Sequence, residues 1–231
     1  MTEILTLEKD FLIVRKPAGV PTQSDPSGDP DLMTLTAMVL KERRESDGLY
    51  LIHRLDRTVG GLVLFARTPK SAATLSALVQ SREIEKDYLA VTDGIPGAAG
   101  EMTDYLYKDA AKGKSYAVST ARRGTKEAKL SYRTVAEKDG KALVAVHLLT
   151  GRYHQIRVQF SSRGLPLTGD KKYGSRENAG IALYAAHLAF CYNGRRVEIT
   201  DLPGADAYPW NLFSDRLSGQ IFDKTDADPR V

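Results

Sequence analysis

Hydrophobic and polar positions along the chain alternate mostly with a period of two, and short apolar runs are stopped by glycine, proline or an acid–glycine pair. Phe11–Val14 is a four-residue apolar run closed by Pro17 and Gly19, and it predicts a strand. Residues 21–30 are rich in Pro, Ser, Asp and Gly and read as a loop, after which Asp31 is placed to cap a helix presenting Leu32, Leu35 and Val39 on one face. Residues 49–52 and 62–66 predict strands on either side of a turn. Thr68-Pro69, a capping residue followed by proline at the first helical position, opens a helix running to about Val79. Further strands are predicted over residues 86–91, 102–107, 115–119, 128–136 and 142–149, with Lys112-Gly113 and Asp139-Gly140 at two of the turns. His154–Ser162 reads as a short helix ending near Gly164, and residues 182–192 and 195–199 as a hairpin about Asn193-Gly194.

These elements imply an α+β fold, mainly an antiparallel mixed sheet flanked by a few helices and loops. No internal repeat or long linker interrupts them. One catalytic domain is expected over residues 1–215, with residues 216–231 a loosely held tail containing Asp223, Asp226 and Asp228.

Composition narrows the class. The 231 residues, 27% charged and 42% hydrophobic, suit a soluble globular protein. A net charge of +4 fits a polyanionic partner such as nucleic acid, and equally an ordinary basic enzyme. The one cysteine, Cys191, excludes an internal disulfide framework and a cysteine-rich zinc site; its apolar neighbours predict a buried, inert thiol. The N-terminus lacks a basic stretch followed by a long apolar one, and no run approaches the roughly 20 apolar residues of a membrane span. A cytoplasmic protein is expected.

Three clusters carry candidate chemistry. His53-Arg54-Leu55-Asp56 places a carboxylate among cations just before Gly60-Gly61 and an apolar strand. A neighbouring arginine keeps Asp56 ionised, either as a structural ion-pair partner or as a nucleophile. Leu149–Arg157 brings Arg152, His154, Gln155 and Arg157 to a helix start, where an anion is favoured; a solvated basic face is the plainer alternative. Glu85–Val91 carries Tyr88, which shares one strand face with Lys86 and Ala90 and could be packing or an acid–base group. The dinucleotide, Walker and nucleophile-elbow motifs are missing, and the four histidines lack metal-ligand spacing, so no metal site is expected.

Taken in this order, the clusters resemble the RluA-type pseudouridine synthases, which isomerise selected uridines in ribosomal or transfer RNA. His53-Arg54-Leu55-Asp56 and Gly61 match the family signature, with Val59 and Gly60 where Thr and Ser are usual. Residues 10–19 resemble its opening motif, with Arg15 where Asn is common. Residues 85–91 resemble its tyrosine strand. Residues 151–158, followed by Gly164, Pro166 and 169–174, resemble its third motif, with Tyr153 at a position that usually holds Ser or Thr.

The resemblance implies that Asp56 is the catalytic aspartate, Tyr88 the active-site tyrosine and Arg157 the arginine that pairs with that aspartate. It makes Arg54 the residue that fills the gap left in the RNA by the target base, and puts Arg152, His154 and Gln155 against phosphate or a base edge. It further implies no cofactor, a monomer without the S4-like RNA-binding domain of some relatives, and neither DNA nor membrane as partner. A catalytically silent RNA-binding module would not need Asp56 and Tyr88 together. A glycoside-cleaving enzyme would call for two carboxylates flanking the bond.

Overall fold

The computed structural model describes residues 2–217 and 219–222, and the chain divides into two compact units. The first joins Met1–Glu85 to Ala185–Asp201; the second holds Lys86–Tyr184 and the described residues from Leu202 onward.

In the first unit, strands β1 (Glu3–Leu7), β2 (Phe11–Lys16) and β4 (Gly60–Ala66) lie side by side. Next to β4 comes β10 (Leu183–Tyr192), then β11 (Arg195–Thr200), with the short β3 (Tyr50–Leu51) also on β4. Phe11 and Ile13, Leu62 and Leu64, and Leu188 and Phe190 are every second residue of three strands, so they share one face and form a core. Leu75 joins that core from helix α2 (Pro69–Ser81).

The predicted start of α2 is present in full. Thr68 and Ser71 form a reciprocal capping box, with Pro69 in the first turn. Asp31 caps α1 (Leu32–Glu42), accepting from Thr34 N–H at 2.8 Å. The hairpin between β10 and β11 turns on Asn193 and Gly194, both at positive φ, as a tight antiparallel turn requires.

In the second unit the strand order is β5 (Glu85–Asp93), β9 (Lys141–Leu148), β8 (Thr125–Lys138), β6 (Ala99–Asp109) and β7 (Lys114–Val118). Every neighbouring pair is antiparallel. Leu106 and Ala128 on one face of this sheet meet Val158 of α3 (Gln155–Ser161) and Tyr173.

Two expectations change, and one strand was not expected. Cys191 is exposed, because alternation along β10 turns Phe190 into the core and Cys191 the other way. Within the expected tail, residues 219–222 form a 3-10 turn with Ile221 and Phe222 buried, and Arg133 donates to the Ile221 carbonyl at 2.6 Å. Asp223, Asp226 and Asp228 lie outside the described residues. The strand β1 escaped the period-two reading, since Glu3-Ile4-Leu5-Thr6-Leu7 does not alternate strictly and covers only five positions.

Candidate active site

The loop from β3 to β4 in the first unit carries Arg54 and Asp56. At its entry the Leu64 N–H donates to His53 Nε2 at 3.2 Å, so the imidazole extends the strand ladder in its neutral form. Leu55 is buried and clasped by Thr22: its N–H donates to Oγ1 at 3.2 Å, and the Thr22 hydroxyl returns a bond to its carbonyl at 2.8 Å. Val59 N–H donates to the Asp56 carbonyl at 3.0 Å and closes a turn. Arg54 is left exposed and Asp56 half-buried.

Val59 and Gly60 therefore do not loosen this loop. Val59 is buried and Gly60 begins β4, while Thr22 supplies the hydroxyl that pins the turn. Gly61 follows at φ +115°, and a Cβ there would stand 2.2 Å from the Ala185 carbonyl oxygen, so only glycine fits.

Beneath the turn lies Lys16, fully buried at the end of β2. Its ammonium donates to the carbonyls of Pro17 at 3.0 Å, Val20 at 2.6 Å and Arg57 at 3.0 Å, one acceptor for each proton. Burial pulls its pKa down to about 8; nearby Asp56 works against that fall and Arg57 adds to it. The side chain of Arg57 staples the loop of residues 21–30 to the same turn. It donates to the Gly19 carbonyl at 2.9 Å and Ser27 Oγ at 2.9 Å, and pairs with Asp29.

The second unit holds the other expected residues. Tyr88 lies on β5 opposite Val146 and is 7% exposed. Lys86, two residues earlier on the same face, is desolvated, which lowers its pKa despite the opposing pull of Asp87. Arg157, in the first turns of α3, makes a buried fork with Asp170: Nε to Oδ2 at 2.7 Å and Nη2 to Oδ1 at 2.9 Å. Its guanidinium also lies 5.1 Å over the Tyr173 ring.

The start of α3 falls at Gln155, with His154 as its cap in the left-handed region at φ 55°. Gln155 is buried. Its Oε1 accepts from the Thr150 hydroxyl at 2.8 Å and Arg152 N–H at 3.0 Å, and its Nε2 donates to the Lys129 carbonyl at 3.0 Å. His154 is buried too, stacked on Tyr153 at 3.8 Å and 3.0 Å from the Tyr173 hydroxyl. Burial, then the charges of Arg157 and Lys172, push its pKa down to about 3, so it is neutral at physiological pH. Gln155 and His154, expected against phosphate or a base edge, are an amide bonded on both ends and a buried, neutral imidazole that shape the loop. Arg152 is half-buried, with Nε donating to the Glu127 carbonyl at 2.8 Å.

Lys16, Thr22, Asp170 and Tyr173 were not singled out as site residues from the sequence. Three of them lie inside stretches that carried the resemblance or beside it, at residues 10–19 and 169–174, and the position of Lys16 before Pro17 was the visible signal.

A family model described as RNA pseudouridylate synthase matches residues 10–162, a span holding every expected site residue. The chain belongs to the RNA pseudouridylate synthase family. As an RNA pseudouridine synthase it is an enzyme that isomerises uridine in RNA. It is 30% identical over 215 residues to the ribosomal large subunit pseudouridine synthase D of Zymomonas mobilis, covering 85% of this chain and 67% of that one. An uncharacterized RNA pseudouridine synthase of Haemophilus influenzae is 28% identical, with 87% of each chain covered. The human RNA pseudouridylate synthase domain containing 4 shares the fold, with a TM-score of 0.74 over 87% of this synthase and 88% of that chain at 22% identity. The α+β architecture expected from the sequence is the one these synthases have.

Proposed function

We propose that Asp56 is the carboxylate that starts uridine isomerisation, with Tyr88 and Arg157 as its partners in catalysis. The observation that carries this reading is the bracing of the Asp56 turn. A buried ammonium, a threonine clasp and an obligatory glycine hold one half-buried carboxylate beside an exposed arginine. A carboxylate that only closed a surface turn would not need that support.

Isomerisation breaks the N1–C1′ bond, turns the uracil and joins C5 to C1′; the C5 proton leaves and N1 gains one. There is no net redox change, so the reaction calls for no cofactor. Asp56 acts on the sugar, either attacking C1′ or removing the proton at C2′. Tyr88 packs on the uracil and assists loss of the C5 proton. Arg157, aimed by Asp170, keeps Asp56 ionised, since an unpartnered carboxylate in a dry site would protonate. The target nucleotide has to leave its stack, at a cost of a few kcal/mol, and Arg54 offsets part of that by entering the gap. Arg152 takes a phosphate. The substrate is a structured ribosomal or transfer RNA, in keeping with the name of the Zymomonas relative, and the enzyme works as a cytoplasmic monomer; among the described residues no helix is long and apolar enough to cross a membrane.

Asp56→Asn tests the assignment. Total RNA from cells lacking this gene is treated with wild type or variant and mapped by carbodiimide-based pseudouridine detection. The variant is expected to yield no product while still binding RNA. Substantial product from it would remove Asp56 from the chemistry.

A further inference from the structure

The outer face of β6 and β7 carries a group of side chains that the isomerisation does not use. Tyr107 and Tyr116 are direct cross-strand partners, 39% and 36% exposed. The sheet packs its other face, through Leu106 and Ala117, against α3 and Tyr173, so these two rings stand on the solvent side of a supported strand pair. Tyr107 is braced as well as exposed. The Arg122 guanidinium lies 5.9 Å over its ring, and the turn holding that arginine is locked by Thr125, whose hydroxyl donates to the Arg122 carbonyl at 2.7 Å and accepts from the Arg122 N–H at 3.0 Å. Lys114 lies 5.6 Å over the Tyr116 ring.

Charge beside the two rings is one-sided. Glu101 shares this face of β6 but stands six residues along the strand from Tyr107, and the nearer acids, Asp109 and Glu127, are engaged by Lys112 at 3.9 Å and Lys129 at 3.2 Å. Among the described residues, Lys114, Arg122 and Arg123 make no ion pair. The large exposed side chains here are tyrosines, not the leucine or methionine that the dry centre of a protein interface would want. Adjacent aromatic rings on a rigid sheet, flanked by unpaired cations, are what single-stranded RNA requires: any base can stack on a ring, and the cations follow the phosphates.

We propose that this face is a stacking platform for a single-stranded segment of the RNA substrate, with Tyr107 and Tyr116 each taking a base and Lys114, Arg122 and Arg123 the phosphates. The platform joins the candidate site within its own unit. Lys114 lies 5.0 Å over the Tyr173 ring and Arg157 lies 5.1 Å over it, while the Tyr173 hydroxyl accepts from Ser115 N–H at 2.8 Å. Sequence preference beyond the reacting uridine then originates on β6 and β7. This inference rests on the reading of the chain as an RNA-modifying enzyme acting through Asp56.

The test uses the full chain and a fluorescent, unstructured oligoribonucleotide of about 12 nucleotides, within the range a stacking groove covers. Anisotropy is expected to show binding about tenfold weaker for Tyr107→Ala or Tyr116→Ala, with Tyr107→Phe and Tyr116→Phe within twofold of wild type, because a stack needs the ring and not the hydroxyl. Arg122→Ala is expected to lower the salt dependence by about one phosphate contact. Photocrosslinking of the same oligonucleotide carrying 4-thiouridine is expected to map to residues 107–116. Unchanged affinity in both alanine variants, or crosslinks lying elsewhere, overturns the platform. Pseudouridine formation on total RNA is measured in parallel: activity with unaltered oligonucleotide binding rejects the platform alone, whereas wild type forming no pseudouridine rejects the enzymatic reading beneath it.

Discussion

The Lys16 ammonium donates to the carbonyl of Arg57, the residue after Asp56, at 3.0 Å, from a position with no exposed surface. It is both the floor of the turn and the positive charge under the carboxylate. Above a pH of about 8 it loses its proton in the folded enzyme, leaving two donors for three carbonyls and one positive charge fewer near Asp56. Activity is therefore expected to fall as pH rises through about 8. The sign for stability is the opposite. The folded pKa lies below the ordinary 10.5, so this group's contribution grows from about pH 8 to 10.5 and is lost as pH falls through 8. Turnover and the thermal midpoint, recorded together from pH 7 to 10, separate the two; activity that stays level to pH 9.5 would deny Lys16 its place under the turn.

Gly61→Ala meets a backbone atom and not a flexible side chain. With φ at +115° and a new Cβ 2.2 Å from the Ala185 oxygen, the strand itself has to move. A loss of about 3 kcal/mol or more is expected in denaturant unfolding. Gly140→Ala is the comparison. It shares a positive φ but faces open space, and should lose only about 1–2 kcal/mol.

Asp170→Asn is expected to act at a distance from any substrate. It breaks a fork in which both partners are buried, at a cost of about 3–5 kcal/mol, and frees Arg157 to turn. Activity should fall further than stability explains when both are measured well below the melting temperature. Arg157→Lys should behave alike, because a point charge cannot fill both positions of the fork. A variant as active as wild type would show that the aim of Arg157 is unimportant.

His154 sets part of the acid limit. Its folded pKa is pushed to about 3 from an ordinary 6.5, so the folded protein keeps a neutral ring that the unfolded chain would protonate. Stability from this group is complete above pH 6.5 and drains away as pH falls toward 3. His154→Gln should flatten that slope by about one proton in urea titrations run across the range. An unchanged slope would mean that the ring is charged in the native state.

Much of this was legible from spacing alone. Short apolar runs located β2 and β4, alternation β5 and the turn dipeptides the hairpins, and Thr68-Pro69 and Asp31 announced their helices, because those signals are local. What escaped depends on partners far away in sequence. Its place before Pro17 marks Lys16, but nothing local shows that its ammonium reaches three carbonyls, and the cationic cluster at residues 152–157 looked outward because its charges are visible and its burial is not. Gln155 and His154 turned inward once Lys129, Thr150 and Tyr173 arrived as neighbours. Cys191 erred the other way: an apolar neighbourhood implied burial, but in a strand the neighbours of a buried residue face away from it.

The first unit is assembled from two separated stretches of chain, and that sets a timetable. Residues 1–85 leave the ribosome long before 185–201, yet Gly61 is packed against Ala185 and the core beside α2 needs Leu188 and Phe190. The Asp56 loop therefore cannot take its final form until residues 185–201 have emerged, and nascent enzyme stays inert toward the RNA around it until then.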